Sequence, residues 1–135
     1  MTIELQRDLT AAMAQQVHIR GHSLTADVSE AEGGADSGPS PHDLYDAALG
    51  ACKALTVMWY ARKKGIPVED IHTRMERDDS QERSGVYKLS ARLQIKGALS
   101  DAQLQELHAV AQKCPVHKLM TTVTTEITTE LERLP

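Results

Sequence analysis

The chain has 135 residues, 41% of them apolar and 25% charged, with a formal net charge of −4 and no phenylalanine. That length predicts a single domain over residues 1–135, with a mainly aliphatic core because Trp59 and three tyrosines are its only Phe, Tyr or Trp residues. An acidic balance without a dense Lys/Arg stripe excludes a general attraction to phosphate backbones, so nucleic acid is not an expected partner.

MTIELQRDLTAAMAQQ, at the start, has no apolar stretch before a small-residue cleavage site, so a reducing cytoplasmic setting is expected. From Gln15 to Val28 the apolar residues alternate as Val17, Ile19, Leu24, Ala26 and Val28 around Gly21-His22, the pattern of a β-hairpin that carries Arg20. A Gly-rich loop follows from Glu30 to Gly38. Ser40 as N-cap, Pro41 at the first helical position and Asp43 at N3 predict a helix start. Between Leu44 and Ala61 only Asp46, Lys53 and Thr56 interrupt a run of apolar residues and Gly50. Such a helix is apolar around most of its circumference and is expected to be buried; Arg62-Lys63-Lys64 followed by Gly65 and Pro67 ends it. The internal charges and these stop signals argue against a membrane span.

Val68 to Arg77 alternates weakly through Ile71, Thr73 and Met75, and Asp78 to Gly85 reads as a polar turn. Val86 to Ile95 is the cleanest strand, with Leu89, Ala91, Leu93 and Ile95 on one face. Ser100 and Gln103 form a capping box ahead of an amphipathic helix (Leu104, Leu107, Val110, Ala111) that ends near Cys114, and Pro115 can open a further short helical turn. Val123, Thr125, Ile127, Thr129 and Leu131 alternate with polar residues and predict a last, β-branched strand. The order hairpin, long helix, two strands, helix, strand is α+β.

Cys52 falls in the middle of the long helix and Cys114 at the end of the later one, with no C-x-x-C. The residues alone leave three readings: a redox pair, a metal pair in which Cys114 and His117 supply two ligands, or two buried fillers. A thiol attacks as thiolate and burial opposes ionisation, so a working Cys52 requires a cation or a donor beside it. Thr56 shares its helix face, whereas Lys53 points about 100° away. Arg20 is the chosen cation, because a guanidinium stays charged when half buried, with His22, His42 and His117 as rivals. Asp43 lies about 13 Å along the helix from Cys52 and on nearly the opposite face, so capping explains it and any link to sulfur runs through Arg20. His117 is either a proton donor or a polar residue on a short helix.

SGPSPHDLYDAALGAC leading into the apolar helix, RGHSLTADV before it, GALSDAQLQELHAVAQKCPVH and the final TTVTTEITTEL resemble the OsmC/Ohr family from about Val17 to Leu131. The GPSPHDL entry, the LGAC step and CPVH look most like its OsmC-like subgroup. The resemblance implies an intertwined homodimer with antiparallel sheets around long buried central helices. It implies a cysteine-based peroxidase for organic hydroperoxides, with Cys52 attacking, Cys114 resolving as a disulfide, and Arg20 activating. Asp43 stands beside His42, which occupies the position of a glutamate common in the hydroperoxide-resistance branch. No cofactor or metal is implied, and the regenerating partner is an external dithiol or lipoyl-type reductant. The rival function is a noncatalytic or redox-sensing, ligand-binding dimer with the same fold.

Overall fold

Alternation meets alternation at the start of the chain, in a computed structural model that describes residues 1–135. Strand β1 (Ile3–Arg7) pairs antiparallel with β2 (Gln15–Ile19), and β2 with β3 (His22–Ala26). The registers Leu5↔Val17 and Val17↔Leu24 set three aliphatic residues in one row across the sheet. No strand is expected at Ile3–Arg7 from the sequence, where only two apolar residues alternate; the ladder to β2 makes it one. The hairpin turn is Arg20-Gly21 rather than Gly21-His22, since Ile19 pairs with His22 and Arg20 takes φ +56.

Asp27, directly after β3, is buried and gathers the following loop. Its carboxylate accepts from the N–H groups of Val28, Ala35 and Ser37 and from the Ser37 hydroxyl, at 2.7–3.2 Å. These donors, Ser37 foremost, depress its pKa to about 2.

Helix α1 (Pro41–Lys64) begins as its sequence predicts: the Asp43 N–H donates to Ser40 Oγ and the Ser40 N–H donates back to the Asp43 carboxylate. It ends in a Schellman arrangement, with Gly65 at φ +69, its N–H directed to Arg62 O and the Ile66 N–H donating to Ala61 O at 2.9 Å. Strands β4 (Asp70–Asp78) and β5 (Lys88–Lys96) form a two-stranded antiparallel sheet, followed by α2 (Asp101–Gln112) and α3 (Pro115–Thr121). Both halves of the Ser100–Gln103 capping box are made. The architecture is α+β.

Two compact units share α1 and the β4–β5 hairpin: residues 1–48 with 75–90, and residues 49–74 with 91–135. The second is built on Val57, Ala61, Ile66, Leu107 and Ala111, with Tyr60, Val68, Ile71, Leu93, Ile95 and Leu99 packed around them.

Two expectations change. Residues 122–135 form no strand and are all exposed, because a period-2 pattern becomes a strand only where a partner supplies the ladder, and neither sheet of this chain extends to it. The all-round apolar α1 is buried along one side only: Leu49, Lys53, Val57 and Ala61 are covered at four-residue spacing, while Leu55 and Trp59 are 69% and 63% exposed. A single chain covers one stripe of that circumference.

Leu107 is 1% exposed at the centre of the second unit. Leu107→Ala is expected to cost about 3 kcal/mol through lost burial and a residual cavity, read as a lower denaturant midpoint at unchanged slope.

Candidate functional site

Cys52 sits on α1 between the covered ladder of Leu49, Lys53 and Val57 and the open side of Leu55 and Trp59, and is half-buried. Thr56, one turn on, brings its hydroxyl to 3.9 Å from the Cys52 sulfur. The Val116 N–H, in the first turn of α3, donates to the same sulfur at 3.5 Å. Cys114 precedes α3 with Pro115 at the first helical position, and is fully buried. Both thiols are free, and Cys52 is near enough to act on the Cys114 thiol.

Burial pushes the Cys114 thiol up. The positive charge of Lys53 works the other way, while the neighbouring Cys52 raises it further.

Lys53 is the only basic residue in the buried set, at 7% exposed. Its Nζ donates to Ala111 O at 2.8 Å, at the end of α2, and lies 3.0 Å from His117 Nδ1 on α3. Helical geometry alone turns Lys53 about 100° away from Cys52. Its four-carbon stem, and the i+4 spacing it shares with Leu49 and Val57, were the signals that place it inside.

Asp43 belongs to the first unit, in a separate cluster. Arg77 on β4 pairs with both Asp43 and Asp46, and the Tyr87 hydroxyl donates to Asp46 at 2.7 Å. The Ser40 N–H and then Arg77 hold the Asp43 carboxyl below its ordinary value. His42 pairs with Glu82, whose hydrogen bond and charge raise its pKa. A cavity of about 390 Å³ opens there, lined by Pro41, His42, Tyr45, Glu82 and Tyr87. The guanidinium that grips Asp43 is thus that of Arg77, which no local pattern could single out, and not that of Arg20. Arg20 is exposed at the β2–β3 turn of the same unit.

Leu49 is buried, whereas Leu55 and Trp59 are exposed. In the second unit an apolar cavity of about 280 Å³ is bounded by Val57, Leu93, Ile95, Leu104, Leu107 and Ala111, among others. No three His, Cys, Asp or Glu side chains gather where they could hold a metal ion, and no helix is long and apolar enough to cross a membrane.

Residues 33–130 match the family model described as OsmC-like protein. Comparison with curated proteins gives no match. Among solved structures, the chain resembles an OsmC-like protein from Mycoplasma pneumoniae at 17% identity and TM-score 0.72, covering 90% of this chain and 87% of that one. It also resembles the organic hydroperoxide resistance protein OsmC from Legionella pneumophila, at 20% identity and TM-score 0.65, over 90% and 88% of the two chains. The organic hydroperoxide resistance protein OhrB of Bacillus subtilis aligns at 19% identity and TM-score 0.58, over 90% of each. These likenesses establish a shared fold.

The Tyr87 phenol is pushed up to about 12, first by burial and then by its hydrogen bond to Asp46 and the charge there. The fold binds its neutral form, so this stabilisation is complete below the ordinary value of 10.0 and is lost as pH rises through about 12. Absorbance titration at 295 nm should show a late tyrosinate component near pH 12 that is missing from Tyr87→Phe.

Proposed function

The chain belongs to the OsmC-like family, and from that premise we propose that it is a thiol peroxidase acting on organic hydroperoxides, with Cys52 as attacking sulfur and Cys114 as resolving sulfur. The observation that carries this reading is the Val116 N–H at the Cys52 sulfur, which brings the turn just after the sealed Cys114 onto the half-buried Cys52. The Cys52 thiolate attacks the hydroperoxide; an S–O bond forms, the O–O bond breaks, and the alkoxide leaves with a proton as alcohol. The Val116 N–H and the Thr56 hydroxyl are donors to the attacking sulfur. Cys114 then displaces hydroxide from the sulfenic acid to give the disulfide, and an external dithiol or lipoyl-type reductant restores both thiols.

Burial favours the protonated form of Cys114, which suits the resolving part. Asp43 serves by holding the start of α1 with Ser40 and Arg77, and Arg20 enters the proposal as the activating arginine through the family resemblance. The proposed assembly is a homodimer in the cytoplasm, with nucleic acid and membrane outside its partners. A second copy would cover the open side of α1 at Leu55 and Trp59 and give the alternating segment from Val123 to Leu131 a strand to pair with.

Stopped-flow consumption of cumene hydroperoxide tests the assignment. Cys52→Ser should lower the rate on the order of a thousandfold or more, while Cys114→Ser should stop at the sulfenic acid without forming a disulfide. Unchanged consumption by Cys52→Ser would end the peroxidase reading.

A further inference from the structure

We infer that Lys53, held between the Ala111 carbonyl and His117 Nδ1, is the resident cation of the cysteine pair and a positioning residue for the attack of Cys114 on oxidised Cys52. The inference rests on the peroxidase reading and adds to it a residue acting on the second chemical step.

Burial supplies the first ground. A lysine amine removed from water is unfavourable unless hydrogen-bonded, and apolar side chains of similar volume commonly replace such groups at no loss of stability. Leu49, Val57 and Ala61 make the same covered stripe with aliphatic groups, so packing alone does not call for an amine at position 53.

The hydrogen bonds supply the second. A protonated lysine has three N–H donors and no acceptor. One donates to Ala111 O and one to His117 Nδ1, which leaves a third. Receiving a proton at Nδ1 requires the neutral His117 ring to carry its own on Nε2. His117 lies in the first turn of α3, the helix that Cys114 precedes, so the amine sits at the junction of α2 and α3 that carries the sealed sulfur, and its positive charge favours the Cys114 thiolate. Lys53 therefore acts on Cys114 by its field and by clamping the first turn of the helix that the cysteine precedes. Its titratable neighbours in this arrangement are Cys52, Cys114 and His117.

The step balances without an outside reagent. Cys114 loses its thiol proton, and its sulfur electron pair attacks the sulfenic sulfur of Cys52. The S–S bond forms and the S–O bond breaks. Hydroxide departs and takes up one proton, so the net change is thiol plus sulfenic acid to disulfide plus water. A fixed cation favours the thiolate before attack and the hydroxide as it leaves.

Quench-flow with cumene hydroperoxide, with dimedone trapping of the sulfenic acid and mass spectrometry, separates the two steps. Lys53→Met should slow disulfide closure about tenfold or more, and far more than it slows oxidation of Cys52, so that sulfenic acid accumulates. Lys53→Arg should restore most of the closure rate. Closure in Lys53→Met at the wild-type rate would overturn the inference.

A peroxide-free measurement separates this inference from the reading beneath it. In a Cys52→Ser background, the Cys114 13Cβ resonance should titrate at higher pH when Lys53 is also Met, and an unmoved midpoint counts against Lys53. If that shift is seen while the wild type leaves hydroperoxide untouched, the peroxidase reading fails and the cation assignment stands. Should Lys53→Met fail to fold, 15N spectra of histidine in the wild type decide. A proton on His117 Nε2 with Nδ1 bare agrees with the inference, and a proton on Nδ1 refutes it.

Discussion

An amine taken out of water has to find acceptors, and Lys53 finds them at the end of α2 and in α3, far from it in sequence. Apolar contact alone would leave α1 free to settle at several registers against its neighbours, since burial of aliphatic surface has little direction. The Lys53 bonds have direction. They clamp α1 to the junction of α2 and α3, where Cys114 lies, and so bring Cys52 under the Val116 N–H. A slip of one helical turn would strand a buried amine and separate the sulfurs together, which couples the integrity of this packing to that of the thiol pair.

The two cysteines differ because their surroundings differ. Cys52 lies at the border of covered and open helix surface, with a hydroxyl and a backbone N–H at its sulfur. Cys114 is sealed, and its thiol is raised by burial and by the neighbouring sulfur. In the first unit the logic is carried by carboxylates: Asp27 ties a loop by accepting four hydrogen bonds, and Asp43 and Asp46 share one guanidinium. Each of these charges is held by hydrogen bonds or ion pairs.

Local signals in the sequence were reliable where the chemistry was local. Ser40, Pro41 and Asp43 mark the start of α1, Gly65 marks its end, and Ser100 with Gln103 opens α2. Strands were legible only when a partner lay within the chain: β5 formed, whereas the equally regular alternation from Val123 to Leu131 did not, and β1 arose from a weak pattern because β2 was there to receive it. Both cysteines were visible, and so was the lysine inside the apolar run, Lys53. Its partners were not, because Ala111 and His117 come from other turns of chain, and the same holds for the pairing of Arg77 with Asp43 and Asp46.

The single tryptophan stands on the open side of α1, 63% exposed, with the Lys63 amine 4.9 Å above its ring. Indole emission depends on the polarity around the ring, and no second tryptophan blurs the signal. The molecule therefore carries a built-in optical gauge of whatever comes to rest on that side of the helix, a blue-shifted spectrum reporting dry contact and a red one continued wetting.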